Sequence, residues 1–565
     1  MDTKLLARKW ALQNAFKYNG QAEVGAVVGK LISEDPAIKK ELGKLMKQIK
    51  EIVQDVNSIS AERQKAELQK IAPELLEEKH ETEERVLKPL PNAVKGKVVM
   101  RFAPSASGPL HVGHAYTGSL NSEYCRIYDG KFIWRMEDTD ADKTDSIAYA
   151  LQPEQAKWLT KSNVKEFVIQ SDRLHTYYDY AERAISKSYA YVCTCTADDF
   201  HNMANNKKEC PCRNLTVKEN LARWDKMFAE YKPGEAVVRI KTDMKHPNPA
   251  MRDWPALRIN DTKHPRTGTE EKVWPLMNFA VVVDDHDMGI THAIRGKEHM
   301  DNEKKQKYLA DYFGWKMPTN LYLGRINFQG LEISKTKTKE KIARGEYTGW
   351  DDIRLPFLAA LKRRGYQPDA FINWAVDIGV TETDKTITAE DFFKSLNHFN
   401  RVIIEPKANR YFFIWNPVKV KIENAPKQNV SIDSHPNYPE KGKRTFKTND
   451  SFYLTRDDYE SLKQNKLYRL MDCLNFTRKK TNLIFDSQKY EEYKERGETI
   501  MHWLPENEKL PEVEVLMPDA TLKKGLAEKG VEQLKIGDII QFERLGFCRL
   551  DEKKNEKLIF WYAHR

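Results

Sequence analysis

The sequence VVMRFAPSASGPLHVGH, at residues 98–114, decides the fold of the region around it. Its first residues are apolar and predict a short buried strand. A loop of small residues and prolines follows, and residues 115–128 contain few breakers and predict a helix. Backbone N–H groups and the positive end of a helix dipole meet at such a junction, which is typical of a phosphate-binding site. His111 and His114 share one face of that helix, although two surface histidines at an ordinary junction give the same pattern.

Strands and helices alternate after this stretch. Residues 131–136 predict a second strand, which runs into Glu137-Asp138-Thr139-Asp140. Residues 152–159 predict a helix, and residues 167–169 a third strand. This order predicts a doubly wound parallel sheet, in which ligands bind at the carboxyl ends of the strands. The loops that hold His111 and Glu137 both lie at such ends, although carboxylates there also serve as helix caps.

The alternation resumes after about a hundred residues. The apolar run at residues 279–283 predicts a strand with Asp284 and Asp285 at its end, and residues 290–296 predict another that ends on Arg295. Residues 320–326 predict the last strand of the sheet. An arginine at the carboxyl end of a strand can bind a carboxylate or phosphate through two hydrogen bonds. A surface salt bridge is the alternative for Arg295.

A lysine-rich segment follows at residues 332–339. We predict a mobile loop, whose lysines can neutralise charge that develops on a leaving group, although any basic surface loop has the same composition. Residues 355–364, 369–378 and 389–393 predict helices.

Four of the seven cysteines form two Cys-x-Cys pairs, at Cys193, Cys195, Cys210 and Cys212. Two such pairs can close a tetrahedral thiolate site around Zn2+, and four thiolates leave no open position, so the site would be structural. Reduced cysteines that only fill a core are the alternative. The uneven spacing favours an intracellular chain over a disulfide framework.

The composition of the chain limits its class. At 565 residues it is too long for one hydrophobic core, and about three to five domains are expected. The net charge of +10 is compatible with a polyanionic partner, but a merely lysine-rich surface gives the same balance. The N-terminus lacks the apolar segment of a signal peptide, and no run approaches the ~20 apolar residues that span a bilayer. We therefore expect a soluble cytoplasmic protein without membrane contact.

The two ends of the chain differ from its centre. Residues 1–93 predict helices with an apolar stripe and with Ser58 and Ser60 as caps between them. Alternating residues at 418–422, 445–448 and 558–562 predict an antiparallel barrel or a pair of barrels. Arginines and aromatic residues at 410–413 and 476–478 could neutralise and stack on single-stranded bases, although aromatic residues in strands belong to a core more often. The stripe consists of Leu42, Leu45, Ile49, Ile52 and Val56, repeated at Leu68, Ile71 and Leu75.

Together these segments resemble the class I aminoacyl-tRNA synthetases, and among them the glutamyl-tRNA synthetases of archaea and eukaryotes. Residues 111–114 correspond to the HIGH signature of the family, and residues 333–337 to its KMSKS loop, with Ile333, Thr336 and Lys337 as departures. Residues 101–105, 136–140 and 278–296 are similar to motifs of the glutamyl-tRNA synthetases. The five ordered motifs cover about residues 94–400.

The resemblance implies a multidomain chain with an α/β Rossmann catalytic core. It further implies an acceptor-stem-binding insertion in that core, a helical stem-contact domain, C-terminal anticodon-binding β-barrels and a helical N-terminal appendage. We expect the appendage at 1–93, the two halves of the Rossmann domain at 94–175 and 276–330, the insertion with the cysteine cluster at 176–275, the KMSKS-type loop and stem-contact domain at 331–400, and the barrels at 401–565. The appendage matches no motif that would name its role.

The resemblance also implies a reaction. L-glutamate attacks the α-phosphorus of ATP, pyrophosphate leaves, and the terminal adenosine of tRNA takes the glutamyl group and releases AMP. Mg2+ would bind the phosphates, and no protein nucleophile is needed because catalysis rests on positioning and charge stabilisation. For ATP the implied residues are His111, Gly113, His114, Ser334 and Lys335, of which His111, His114 and Lys335 are catalytic. For glutamate they are Arg101, Ala103, Ser105, Glu137 and Arg295.

Two of the glutamate contacts have distinct implied roles. Glu137 would pair with the α-ammonium group, and Arg295 would bind the γ-carboxylate. Met277 and Val281 stand where bacterial members carry a tyrosine and an asparagine. The substrate contacts of those two residues are therefore not carried over, and other residues must close that side of the pocket.

Two alternatives remain at this stage. A glutaminyl-tRNA synthetase has the same architecture, but Arg295 disfavours it because a charge-assisted hydrogen bond contributes about 1.5–3 kcal/mol and a neutral amide pairs poorly with a cation. An inactive tRNA-binding protein is disfavoured by the complete set of His111, His114, Glu137 and Lys335. The expected partners are L-glutamate and tRNA(Glu), for a monomeric enzyme, and the sequence leaves open whether tRNA(Gln) is also charged with glutamate.

Overall fold

A computed structural model describes residues 3–17, 20–34, 38–75 and 86–565 of the chain. The chain divides into two compact units, Met1–Val86 and Leu87–Arg565. In the described ranges, no helix combines the length and apolar character that crossing a membrane requires.

The first unit is helical, as predicted. Ile49, Val53 and Val56 of its third helix are buried together with residues of the other helices, so the apolar stripe packs helix on helix. Ser60 caps the fourth helix, because its hydroxyl accepts a hydrogen bond from the backbone N–H of Arg63. The helices are α1 (Thr3–Lys17), α2 (Val24–Glu34), α3 (Ile38–Ser58) and α4 (Ala61–Ile71).

The second unit begins with a parallel sheet that an insertion divides in the sequence. The elements before the insertion are β1 (Val99–Phe102), α5 (Val112–Ile127), β2 (Lys131–Met136), α6 (Ile147–Leu159), β3 (Val164–Ile169) and α7 (Leu174–Ser186). The insertion contains β4 (Ala190–Cys193), α8 (Ala197–Asn205), α9 (Val217–Ala229), β5 (Val237–Ile240), β6 (Pro255–Ile259) and β7 (Val273–Pro275). The chain returns to the sheet through α10 (Met277–Asp287), β8 (His292–Gly296), α11 (Met300–Phe313) and β9 (Thr319–Leu323).

The strand order of this sheet is β3-β2-β1-β8-β9, and all of its neighbours are parallel. This confirms the predicted doubly wound α/β core. The order reverses between β1 and β8, so a crevice opens there at the carboxyl ends of the strands. The four strands of the insertion form a separate antiparallel sheet in the order β4-β5-β6-β7.

The prediction of a strand at residues 279–283 was wrong. These residues lie in the helix α10, and the run from Phe279 to Asp285 is buried throughout. A helix that is covered on all sides reads as a continuous apolar run, which periodicity cannot distinguish from a buried strand. Asp284 and Asp285 therefore lie in the last turns of a helix rather than at the end of a strand.

A largely helical segment follows the sheet. Its elements are β10 (Ile326–Gln329), α12 (Lys335–Ala343), α13 (Leu358–Arg364), α14 (Pro368–Ile378), β11 (Lys385–Thr388) and α15 (Ala389–Ile404). The lysine-rich segment is not the loop that we predicted, because α12 begins at Lys335. The hydroxyl of Ser334 accepts a hydrogen bond from the backbone N–H of Lys337 and so caps this helix.

The C-terminal part is built from two seven-stranded sheets and one hairpin, which agrees with the predicted barrel-type domains. The strand orders are β12-β25-β26-β27-β23-β24-β13 and β21-β18-β19-β20-β14-β17-β22, and the hairpin is β15-β16. Most pairs are antiparallel, but β12/β25, β14/β20, β18/β21 and β23/β27 are parallel. The elements are β12 (Arg410–Tyr411), β13 (Phe413–Trp415), β14 (Pro417–Glu423), β15 (Gln428–Asp433), β16 (Lys443–Thr448), β17 (Ser451–Thr455), α16 (Arg456–Ser461), β18 (Leu467–Leu470), β19 (Leu474–Lys479), β20 (Asn482–Ser487), α17 (Tyr490–Arg496), β21 (Gly497–Met501), β22 (Leu504–Pro505), β23 (Glu512–Leu516), β24 (Leu522–Ala527), β25 (Ile539–Phe542), β26 (Gly546–Lys554) and β27 (Lys557–His564).

Three aromatic residues considered for base stacking lie in the interior. Phe412, Phe413 and Phe476 are fully buried, so their rings belong to the cores of these sheets. For these three the favoured interpretation as core residues is confirmed, and the alternative of base stacking is excluded.

Candidate active site

His111 and His114 cap the N-terminus of α5 reciprocally. The Nδ1 atom of His111 accepts a hydrogen bond from the backbone N–H of Gly113 at 3.1 Å, and the Nδ1 atom of His114 accepts one from the backbone N–H of His111 at 3.1 Å. The centres of the two imidazole rings are 3.9 Å apart. Because each Nδ1 is an acceptor, each neutral ring carries its proton on Nε2, where it can be donated to a ligand.

Both histidines are neutral in the free protein. Burial, and then the positive charge of Lys335, lowers the pKa of His111 to about 3. Burial lowers the pKa of His114 well below its ordinary value, and His111 and Lys335 add to the effect. Gly113 fits between them because a Cβ atom there would lie 2.9 Å from Cε1 of His111.

Lys335, the first residue of α12, reaches the loop that precedes α5. Its Nζ atom donates a hydrogen bond to the hydroxyl of Ser107 at 3.2 Å. Burial lowers the pKa of the Lys335 ammonium group to about 8. A second contact of α12 with the catalytic core is the ion pair of Lys339 with Asp145, just before α6, at 2.6 Å between Nζ and Oδ2. The structure thus brings Lys335 and the two histidines together.

Two buried glutamines of α6 hold the same loop in place. The side-chain amide of Gln152 donates hydrogen bonds to the backbone carbonyls of Ser105 (3.0 Å) and Gly108 (2.9 Å). The side-chain oxygen of Gln155 accepts a hydrogen bond from the backbone N–H of Leu110 at 2.8 Å. Nothing in the sequence singled out these glutamines, because each acts on backbone atoms more than forty residues away in the chain.

A cavity of about 360 Å³ opens beside this loop, at the crevice between β1 and β8. All five residues predicted for glutamate line it: Arg101, Ala103, Ser105, Glu137 and Arg295. His114 also lines this cavity. One pocket therefore adjoins both predicted groups of residues.

Asp285 joins three arginines beneath the cavity. One of its carboxylate oxygens accepts hydrogen bonds from Arg101 (3.2 Å) and Arg135 (2.7 Å). The other accepts from Arg101 (3.3 Å) and Arg295 (3.1 Å). All four side chains are at least 93% buried. Neither Asp285 nor Arg135 was among the predicted site residues, and the pair of aspartates after an apolar run was the only available signal.

The charges of this cluster determine the ionisation of its carboxylates. Burial alone would raise the pKa of Asp285, but Arg101, Arg135 and Arg295 hold it below its ordinary value. Burial raises the pKa of Glu137, and the charges of Arg135 and Arg101 oppose this effect. The Nη2 atom of Arg135 lies 3.3 Å from the Glu137 carboxylate. An arriving cation would therefore favour the ionised form of Glu137.

The far side of the cavity is lined by residues that sequence reasoning did not assign. Met277 and Val281 of α10 are both part of its wall, so this side is apolar. Gln306 of α11, which is hydrogen-bonded to Arg295, also lines the cavity, as do Glu298 and His299. No signal in the sequence pointed to Gln306.

The four predicted cysteines also come together, in the insertion. The ligand atoms of Cys193, Cys195, Cys210 and Cys212 all lie within 4.8 Å of one another. The Sγ–Sγ distances for Cys193–Cys210, Cys195–Cys210 and Cys195–Cys212 are 3.6, 3.7 and 3.8 Å. Four ligands at the usual Zn–S bond length in a tetrahedron would be about 3.8 Å apart. The cluster could hold a metal ion.

Three family models match the chain. The catalytic domain of the class I tRNA synthetases (E and Q) matches residues 97–405, and two models of their anti-codon binding domain match residues 408–493 and 500–551. The chain belongs to the class I tRNA synthetases for glutamate and glutamine. The catalytic-domain match of this synthetase contains the entire cavity, both histidines, Lys335 and the cysteine cluster.

Curated relatives resemble this synthetase over its whole length. A glutamate–tRNA ligase from Thermococcus kodakarensis is 43% identical over 580 residues, which is 100% of each chain. One from Methanothermobacter marburgensis is 43% identical over 561 residues, which is 99% of each chain. A crystal structure of a glutamate–tRNA ligase from Elizabethkingia meningosepticum is 21% identical, with a TM-score of 0.41, over 55% of this chain and 70% of that one.

Proposed function

We propose that this synthetase attaches L-glutamate to tRNA through a glutamyl adenylate. The glutamate α-carboxylate attacks the α-phosphorus of ATP and displaces pyrophosphate. A terminal hydroxyl of the tRNA then takes the glutamyl group from the adenylate and releases AMP. Full-length curated relatives that are glutamate–tRNA ligases support this reaction.

The ATP side of the proposed site is the junction at the start of α5. His111 and His114 would donate their Nε2–H groups to the nucleotide as neutral hydrogen-bond donors. Gly113 would leave room for the adenine ring, and Ser334 would hold the start of α12 close to the triphosphate. Lys335 would neutralise the negative charge that develops on the departing pyrophosphate. Mg2+, when bound to the phosphates, would supply further charge neutralisation.

The glutamate side is the cavity. We propose that Glu137 pairs with the α-ammonium group and that Arg295 binds the γ-carboxylate. Arg101, Ala103 and Ser105 would contact the amino acid from the end of β1. No group on the protein forms a covalent bond in this scheme, so the rate depends on how well the two substrates are positioned.

One observation carries the proposal: Arg101, Arg295 and Glu137 line one cavity, which adjoins a nucleotide-type helix N-terminus. Glutamate carries two carboxylates and one ammonium group, which this set complements. Glutamine would leave one guanidinium group opposite a neutral amide, at a cost of about 1.5–3 kcal/mol.

Aminoacylation of purified tRNA tests the proposal. We expect ATP-dependent transfer of radiolabelled glutamate to tRNA(Glu), with kcat/KM for glutamate far above that for glutamine. Pyrophosphate exchange is measured with and without tRNA, which shows whether the amino acid is activated in the absence of tRNA. Parallel reactions with tRNA(Gln) determine whether glutamate is attached to that tRNA as well. A preference for glutamine would contradict the proposed substrate.

We also propose that the four cysteines bind one structural Zn2+ ion. The tetrahedral spacing of their sulfur atoms supports this ion. Cys212 would enter as a thiolate, because Nη1 of Arg223 donates a hydrogen bond to its sulfur at 3.2 Å. With four protein ligands no coordination position is left for a substrate, so the ion would stabilise the insertion and take no part in the reaction.

A further inference from the structure

Gln306 and Asp285 bind different nitrogen atoms of the Arg295 guanidinium group. Gln306 is a residue of α11 and only 1% exposed. Its side-chain oxygen accepts a hydrogen bond from Nη1 of Arg295 at 2.7 Å, which is shorter than the contact of Arg295 with Asp285. Gln306 therefore fixes the orientation of the guanidinium group at the cavity wall.

A second amide fixes the orientation of Gln306 itself. The side-chain nitrogen of Gln306 donates a hydrogen bond to the side-chain oxygen of Asn278 at 3.2 Å, and the nitrogen of Asn278 donates to Asn302 at 3.2 Å. An arginine can only donate hydrogen bonds, so the Gln306 oxygen must face Arg295 and its nitrogen must face Asn278. The chain of amides allows only this arrangement.

The positive charge of Arg295 is only weakly compensated in this setting. The anion with which Arg295 forms an ion pair in the described part of the chain, Asp285, is shared with Arg101 and Arg135. Its other partner, Gln306, is neutral. The buried Nε atom of Arg295 has no hydrogen-bond partner among the residues that the structure describes. A carboxylate in the place of Gln306 would neutralise the positive charge of Arg295. The same carboxylate would also repel a carboxylate of the substrate that approaches Arg295.

We propose that Gln306 is a specificity-determining residue, whose neutral amide positions Arg295 without neutralising it and so preserves the charge that selects glutamate over glutamine. This inference rests on the proposed function, in which Arg295 binds the γ-carboxylate. Gln306 acts through Arg295 and is a positioning residue.

The isosteric variant Gln306→Glu tests the inference. It keeps the shape and the acceptor oxygen that faces Arg295, replaces the N–H donor to Asn278 by a second oxygen, and adds one negative charge beside Arg295. We expect kcat/KM for glutamate to fall about 10- to 100-fold, as for the loss of one charge-assisted contact. We expect kcat/KM for glutamine to change less than about threefold, since no charged group of glutamine reaches Arg295. The readout is the ratio of the two values in tRNA aminoacylation, which a merely structural role would leave unchanged.

Two further variants complete the experiment. Gln306→Met removes the acceptor without adding charge, and we expect it to lower kcat/KM for glutamate more than that for glutamine, by a smaller factor than Gln306→Glu. Lys307→Gln, on the exposed face of the same helix, makes the same change in net charge and should leave both values unchanged. Circular dichroism of each variant establishes that it is folded.

The outcomes separate the inference from the proposed function. Equal losses for glutamate and glutamine in Gln306→Glu and Gln306→Met, or no loss for glutamate in either, would overturn the role of Gln306. If Arg295→Gln lowers the ratio while the Gln306 variants do not, the proposed function stands and the inference fails. A wild-type protein that does not glutamylate tRNA would refute the proposed function itself, whatever the variants do.

Discussion

His114 combines two tasks in one imidazole ring. Its Nδ1 atom accepts the backbone N–H of His111 and so caps α5, while its Nε2–H group is available at the cavity. The two tasks can be separated, because an asparagine can accept the same backbone hydrogen bond but cannot place a donor where Nε2 lies.

We predict that His114→Ala and His114→Asn both lower the rate of adenylate formation about 10²- to 10³-fold, which is typical for the loss of one transition-state donor. Only His114→Ala should also lower the thermal stability. The measurements are pyrophosphate exchange in the presence of tRNA and a melting curve. Binding of tRNA in a filter assay should survive in both variants, and activity within a few-fold of wild type would remove His114 from the reaction.

The lowered pKa of Lys335 leads us to predict that the activity depends on pH. Its pKa is lowered to about 8 by burial, so the free enzyme loses this positive charge as the pH rises above about 8 and keeps it below. We expect kcat/KM for ATP to fall above that pH, since this parameter reports ionisation in the free enzyme.

The variant Lys335→Arg provides the control, because a guanidinium group stays protonated over the whole range. Its kcat/KM for ATP should be lower than that of wild type at pH 7 but should not decline between pH 8 and 10. The same decline in both proteins would assign the ionisation to another group.

Among single residues, the sequence pointed to those whose side chains line the cavity. It did not point to the residues that hold these side chains in place through hydrogen bonds. Arg101, Glu137 and Arg295 stand in motifs and line the cavity as expected. Asp285 and Gln306 could not be assigned, because their roles follow from partners that the fold brings near. Asp285 is 184 residues from Arg101 in the chain.

The helix α6 holds the loop between β1 and α5 in place, although the two segments are more than forty residues apart in the chain. Gln152 holds two backbone carbonyls of the loop between β1 and α5. We predict that Gln152→Leu raises KM for ATP by up to about 30-fold, since two hydrogen bonds of about 1 kcal/mol each stabilise the loop.

Steady-state kinetics with ATP as the varied substrate measures this effect. Glu154→Gln, on the exposed face of α6, should leave KM unchanged. A loss in thermal stability without any change in KM for ATP would mean that Gln152 supports only the fold.

The insertion provides a second prediction at this scale. Freshly purified protein should contain one zinc ion per chain, and a chelator should lower its melting temperature, because binding energy at a structural site is also folding energy. Elemental analysis and a melting curve measure the two effects. Cys195→Ser should reduce the zinc content, whereas Cys473→Ala, at a buried cysteine in the C-terminal part, should not. Protein without stoichiometric zinc would end the proposal.

Elements were predictable where periodicity was unambiguous. The strands β1, β2, β3 and β8 lie within a few residues of their predicted positions, because each is short, apolar and bounded by turn residues. The helix α10 was mistaken for a strand because burial on every side removes its periodicity. The helix α12 was mistaken for a loop because its lysines resemble a surface segment and its cap, Ser334, was assigned to the nucleotide.

For the whole molecule, the fold class could be predicted from the order of the motifs, because five motifs in one sequence order imply one topology. The role of the first unit could not be inferred in this way. Its core is built from residues 6–75, and the core around β1 is built from residues 87–403. Among the residues that the structure describes, each of these two clusters draws its members from a single unit.

We therefore predict that a protein starting at Val86 folds and glutamylates tRNA with kcat within about threefold of the full-length value. Each core can exclude water without the other, which is the main requirement for independent folding. Circular dichroism, a melting curve and aminoacylation measure the outcome. Aggregation of the shortened protein, or loss of adenylate formation, would assign the first unit a part in the fold or in the reaction.

The cluster around Asp285 also has a consequence for biosynthesis. Arg101 and Arg135 leave the ribosome 184 and 150 residues ahead of the carboxylate that pairs with them. At about 5–20 residues per second, translation leaves Arg101 without this partner for roughly 10–40 s. During that interval β1 also lacks its neighbour β8, so the nascent chain exposes an unpaired strand edge beside uncompensated charge. Translation speed through the insertion therefore sets how long the growing polypeptide is open to aggregation and to chaperones.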